Sequence, residues 1–153
     1  PAARARIEDN PFHVLGLAPP LTDILRVHGF EKPTPIQEQA IPAALAGKDL
    51  VASAETGSGK TAAFLLPLLA RILRERRPAG TRALVLVPTR ELAIQVRTVA
   101  LELSEGTSVG VAEVYGGVGM GDQTKALRGG VDVWRKAGLP MEPKAEGVAA
   151  PGP

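Results

Sequence analysis

Apolar positions along the chain follow two rhythms, and the rhythm changes at Leu50. Ahead of it, Leu21, Ile24 and Leu25 share one face at helical spacing, which predicts a short helix over residues 21–29, after Pro19 and Pro20. Residues 30–33 read as a turn. A second helix is predicted from Thr34 to about Gly47, with Pro35 in the favoured first position. From Leu50 on, short continuous apolar runs alternate with longer segments. Leu50-Val51-Ala52-Ser53 and Ala83-Leu84-Val85-Leu86-Val87 read as buried strands, and residues 109–114 as a third. Between the first two, residues 60–77 are predicted to be a helix that is apolar nearly all round, through Ala62, Phe64, Leu65, Leu66, Leu68, Leu69, Ile72 and Leu73, and therefore buried. Pro67 inside it removes a backbone donor and predicts a kink. Further helices are predicted over residues 90–103 and 120–128, and Val131-Asp132-Val133 opens a fourth strand. Such alternation implies an α/β, doubly wound parallel sheet with right-handed crossovers and flanking helices.

Composition narrows the class. A chain of 153 residues is long enough for one domain with a real core, and 44% hydrophobic with 22% charged residues is the balance of a globular protein. No apolar run reaches the ~18 residues of a bilayer span, so no membrane role is expected. Residues 1–10 carry Arg4 and Arg6 without an apolar block behind them and do not read as a secretory signal. The first residue is Pro1 rather than Met, which reads as a trimmed or partial chain. The absence of cysteine excludes disulfides, thiol catalysis and thiolate metal sites, and suits a cytoplasmic location. His13 and His28 lack companions at metal-ligand spacing and read as structural or surface residues. With a net charge of only +2, nucleic-acid binding would need a local patch. Arg71, Arg74, Arg76 and Arg77 offer a candidate patch, but they fall in the last turns of a predicted helix, where cations complement the dipole, and read as a solvated helix end.

The chemistry concentrates in Ala54-Glu55-Thr56-Gly57-Ser58-Gly59-Lys60-Thr61, set between a predicted strand and a predicted helix. That setting turns a glycine-rich string into a candidate phosphate loop. Gly57 and Gly59 let the backbone curl so that successive N–H groups face one anion, and the helix adds the positive end of its dipole. Lys60 would neutralise β- and γ-phosphates, and the Thr61 hydroxyl would ligate Mg²⁺. Ala54 stands where the general pattern has its first glycine.

Further motifs narrow the family. Gly29-Phe30-Glu31-Lys32-Pro33-Thr34-Pro35-Ile36-Gln37 resembles the Q motif of DEAD-box helicases, and Phe12 lies 17 residues ahead of Gly29, where that family carries an isolated aromatic. Ala54 to Thr61 resembles the family's motif I, Pro88-Thr89-Arg90-Glu91-Leu92-Ala93 its motif Ia, and Gly116-Gly117 the glycine doublet that follows. The four motifs stand in family order, and the resemblance covers residues 12 to about 133. It implies an incomplete RecA-like domain, ATP and Mg²⁺ as ligands, and RNA as a partner held through its backbone without regard to sequence. Phe12, Phe30, Lys32, Gln37 and the loop from Glu55 to Thr61 would bind nucleotide. Pro88, Thr89, Arg90, Gly116 and Gly117 would contact RNA. A Gln side-chain amide can both donate to and accept from the adenine edge, the role the resemblance gives Gln37, with Phe12 packing on the base. Thr34 and Gln37 also have the spacing of a helix capping box, which needs no ligand, and both roles are compatible. Thr89 likewise stands where a cap for the next helix belongs. Alone, the glycine doublet is as well explained by a turn.

The resemblance ends at Trp134. The family continues into a Thr-Pro-Gly-Arg element, where this chain has Trp134-Arg135-Lys136-Ala137-Gly138, and no Asp-Glu-Ala-Asp quartet occurs. Hydrolysis needs a carboxylate on the Mg²⁺ shell, another on the attacking water and a cation on the developing charge. Asp122 and Asp132 are the nearest unclaimed carboxylates, and neither sits in a suitable motif. The expected organisation is therefore an N-terminal extension over residues 1–11, a partial ATP-binding domain over 12–133 and an unstructured tail over 134–153. This chain by itself would grip ATP without hydrolysing it. The alternative is a non-catalytic module that binds RNA, a second helicase domain or another protein partner.

Overall fold

The computed structural model describes residues 10–75 and 80–116. Gly117, Arg76, Arg77, the predicted helix over 120–128, the predicted fourth strand and the expected tail lie outside them. After a single 3-10 turn at His13–Leu15 come four helices: α1 (Leu21–Val27), α2 (Pro35–Leu45), α3 (Lys60–Arg74) and α4 (Arg90–Leu103). α4 has the bounds that its apolar rhythm predicts. α3 ends three residues before the expected stop and runs through Pro67.

The local reasons for these starts are visible. Thr34 is extended (φ −81°, ψ 162°) and caps α2, with Pro35 behind it at the position where a missing N–H costs nothing. Gln37 Oε1 accepts from the Thr34 N–H at 3.0 Å, and the Thr34 hydroxyl completes the capping-box arrangement without a hydrogen bond of full geometry. Thr89 caps α4, its hydroxyl accepting from the Leu92 N–H at 3.3 Å.

The core is built by helices. α2 packs along α3, and α4 packs on α3 and α1. Phe12, Leu17, Leu25, Ile41 and Leu66 are wholly buried at its centre, each contributing about 1.5–3 kcal/mol of apolar burial. Asn10 fixes the entry to that core, with its Nδ2 donating to Thr22 O at 3.0 Å and its Oδ1 accepting from the Phe12 N–H at 2.9 Å. His13 Nδ1 pairs with Leu17 O at 3.0 Å, and His28 Nε2 with Glu105 Oε2 at 2.9 Å, so both histidines have structural roles.

The runs read as buried strands behave differently. Among the described residues, 48–55, 81–87 and 109–115 are neither helical nor joined by a ladder of strand hydrogen bonds. Leu50 and Val51 are exposed, and so are Leu84, Val85 and Leu86, which corrects the expectation of burial. A continuous apolar run states what a segment can bury, but the covering comes from distant chain. Residues 109–116 do keep a period of two: Val109, Val111, Glu113 and Tyr115 are half-buried and the residues between them exposed, as for an extended segment with one face against its neighbours. α3 buries one face, through Ala62, Leu65, Leu66 and Leu69, while Leu68, Ile72 and Leu73 are half-buried and Phe64 is 40% exposed, which corrects the expectation of burial nearly all round.

Candidate nucleotide-binding site

The glycine loop turns directly into α3, with Gly59 as its N-cap at φ 87° and Gly57 at φ 81°, both in the left-handed region that penalises any Cβ. Lys60, the first helical residue, folds its ammonium back into the loop. Its Nζ donates to Ala54 O and, at 2.5 Å, to Glu55 O. The cation therefore sits inside the curl, held by carbonyls that an anion's oxygens can replace. Among the described residues, the backbone N–H groups of Thr56, Gly57, Gly59, Lys60 and Thr61 donate to no protein acceptor. The first turn of any helix leaves such donors over, and here the loop ahead of it adds more. Ser58 Oγ is buried without a partner in the same curl. Uncommitted donors, a central ammonium and an orphaned hydroxyl fit a polyphosphate. Glu55, Thr56 and Gly57 are exposed, and Ser58 to Thr61 half-buried.

Gln37 is 2% exposed and spans from α2 to the loop. Besides accepting from Thr34, it donates from Nε2 to Gly59 O at 3.2 Å. The Gln37 half of the capping box is therefore made, and the same amide also ties α2 to the glycine loop. A Cβ on Gly59 would lie 2.5 Å from Gln37 Nε2 and 3.1 Å from Thr34 Oγ1, so any other residue there must displace the Gln37 amide as well as adopt a left-handed φ. Sequence spacing gave no sign of this contact, because it crosses between elements.

Phe30 and Lys32 line a shallow open pocket of about 540 Å³ with His28, Gly29 and Glu31. Phe12 meets Phe30 edge-on, ring centroids 6.4 Å apart, and is wholly buried. Its place in the core accounts for it without a ligand, and it reaches the pocket only through Phe30.

The described residues expected to meet RNA, Pro88, Thr89, Arg90 and Gly116, gather at the start of α4. Pro88, Thr89 and Arg90 are exposed, and the Arg90 guanidinium lies over the Tyr115 ring, 4.4 Å from its centroid. Gly116 follows in an exposed turn. Tyr115 was not singled out from the sequence, and its position directly before the glycine doublet is the signal that could have found it. Arg71, from the arginine run, is exposed and pairs with Glu75 four residues on at 2.9 Å, as a solvated helix end does. Among the described residues no group of three or more His, Cys, Asp or Glu could hold a metal. No helix among them is long and apolar enough to cross a membrane.

Residues 34–135 match the sequence profile of the DEAD/DEAH box helicases. The chain is 46% identical over 123 residues to the probable ATP-dependent RNA helicase DDX27 of Mus musculus, covering 80% of this chain but 16% of that protein. The crystal structure of the RNA helicase Prp28 from Chaetomium thermophilum bound to ADP is similar at 41% identity and a TM-score of 0.69, over 84% of this chain and 35% of that one. Dbp5 of S. cerevisiae, bound to RNA and ADP BeF3, is similar at 38% identity and a TM-score of 0.56, over 61% of this chain and 24% of that one. The chain thus spans about a sixth of the length of the first curated relative it matches.

Proposed function

Because the chain belongs to the DEAD/DEAH box helicase family, we propose that it forms the ATP-gripping front part of an ATP-dependent RNA helicase. The observation that carries this reading is the Lys60 ammonium held inside a glycine curl that opens directly into α3, where, among the described residues, the N–H groups of Thr56, Gly57, Gly59, Lys60 and Thr61 have no protein acceptor. Amides of residues 56–61 would receive the polyphosphate, Lys60 would trade its two carbonyls for phosphate oxygens, and the Thr61 hydroxyl would hold Mg²⁺. When bound, that ion screens the charge between the terminal phosphates. The pocket beside Phe30 and Lys32 would take the base. Gln37 uses one donor on Gly59 and one lone pair on Thr34, which leaves its second N–H and second lone pair for the adenine edge. Pro88, Thr89, Arg90, Gly116 and Gly117 would contact RNA, with Thr89 and Arg90 on sugar and phosphate.

In this reading residues 12–133 make a partial RecA-like ATP-binding domain, with 1–11 as an extension and 134–153 as a tail. The exposed runs at 50–53 and 83–87 supply strands of its parallel sheet once neighbouring strands cover them. The 153 residues alone bind ATP without turning it over, since no Asp-Glu-Ala-Asp quartet occurs in them. Titration of the purified chain with a fluorescent ATP analogue tests the site. ATP should compete and GTP should not, and Lys60→Ala should weaken binding about 10- to 100-fold through the lost charged hydrogen bonds. Equal competition by GTP would count against the adenine reading. Phosphate release above background would overturn the account of the missing carboxylates.

A second reading, a non-catalytic module that docks RNA or a protein, is supported by the exposed Val51, Leu84 and Leu86. A stable complex with RNA that ignores nucleotide would favour it over the first.

A further inference from the structure

Arg90 takes the first position of α4, where the partial positive charge of a helix start disfavours a cation. Its guanidinium nevertheless lies over the Tyr115 ring, 4.4 Å from the centroid. The acidic groups nearby do not neutralise it: Glu113, two residues before Tyr115, faces Arg97 at 3.9 Å. An aromatic face attracts a guanidinium through its quadrupole and leaves the N–H edge and the charge intact, whereas a carboxylate would consume both.

The ring is itself held in place. Val109 and Val111 pack against the core, Glu113 meets Arg97 two turns along α4 from Arg90, and Tyr115 then reaches the start of the helix. The half-buried face of residues 109–115 thus runs antiparallel along α4 and delivers its aromatic to Arg90, with the Gly116 turn directly after it.

We propose that Tyr115 is a positioning residue for RNA binding: its ring holds the Arg90 guanidinium beside the Gly116 turn, preset for a backbone phosphate. This rests on the reading of Arg90 as an RNA contact. A free arginine side chain would lose much rotamer freedom on meeting a phosphate, and a preset one loses less.

Fluorescence anisotropy of the full chain with a labelled oligouridine at low salt tests the proposal. Tyr115→Leu should weaken binding about two- to five-fold, as expected for an exposed cation–π pair. Tyr115→Phe should bind like the wild type, because the ring and not the hydroxyl acts on Arg90. In an Arg90→Ala background, Tyr115→Leu should cost nothing more, and affinity for the ATP analogue should not change in any of these variants. Undiminished binding by Tyr115→Leu overturns the proposal, as does an equal loss in the Arg90→Ala background, and in both cases the RNA reading of Arg90 survives. Oligouridine binding that is absent from the wild type sinks the RNA reading and the proposal together. Should Tyr115→Leu fail to fold by circular dichroism, the Arg90 side-chain proton resonances of the wild type decide: an upfield ring-current shift supports the contact and its absence refutes it.

Discussion

Replacing Gly59 with alanine isolates the contact that joins α2 to the glycine loop. Two costs arise at once. Alanine at φ 87° carries about 1 kcal/mol for a left-handed conformation. The new Cβ also meets Gln37 Nε2 at 2.5 Å, too close for any real contact, so the amide must leave. Gln37 is 2% exposed, and its departure breaks the bonds to Thr34 N–H and Gly59 O, at about 1 kcal/mol each. The sum is about 3 kcal/mol, or a fall in Tm of roughly 6–12 °C for a domain of this size. Gly57→Ala is the internal control. Its φ of 81° carries the same backbone cost, but a Cβ there meets nothing within 4 Å, so the fall should be about 2–4 °C. Thermal melts by circular dichroism on the two variants make the comparison. Equal melting points would refute the steric argument. The coupling can be checked as well: with Gln37→Ala in place, Gly59→Ala should cost about 1–2 kcal/mol less than alone.

Three further outcomes follow from burial and charge. Leu66→Ala, at a wholly buried position of α3, should cost about 2–5 kcal/mol in denaturant titration, and a loss under ~1 kcal/mol would show the core closing around the gap. Leu86→Gln changes a side chain that is 83% exposed; stability should stay within about 0.5 kcal/mol while light scattering reports less self-association, and unchanged scattering would clear this run as the adhesive surface. Glu105→Gln keeps an oxygen facing His28 and removes only the charge of a side chain that is 69% exposed; the expected loss in denaturant titration is under ~1 kcal/mol, and a loss of several kcal/mol would refute the surface assignment.

The helices were legible because their signals are local. Thr34-Pro35 and Thr89-Arg90 mark two starts by cap chemistry, and the apolar face of residues 90–103 carries α4 to its end at Leu103. The core positions Leu65, Leu66 and Leu69 follow from the apolar face of one helix. Strand burial was not legible in that way. Val51 and Leu86 belong to runs as apolar as any in the chain, yet they stand open, because a strand is buried only by segments far away in sequence. Long-range contacts were hidden for the same reason. Gln37 reaching Gly59 across 22 positions, and Arg90 reaching Tyr115, leave no periodic trace in the residues between them.

The two threonine caps bear on how such a site is kept in order. At Thr34 and Thr89 the side chains that start a helix belong to the same short motifs as the residues assigned to ligands. Gln37 is at once the third residue of α2, the acceptor for its cap and the donor to the loop that holds Lys60. Loss of the amide should therefore loosen the helix start and the phosphate curl together. A residue that served adenine alone would spare folding when removed, and one that served the cap alone would spare nucleotide. Gln37→Ala should do neither: in the absence of nucleotide it should lower Tm by roughly 4–8 °C, as two lost hydrogen bonds require. It should also weaken binding of inorganic triphosphate, which carries no base for Gln37 to read. Triphosphate affinity unchanged in the mutant would separate the two roles and place the amide outside the phosphate site.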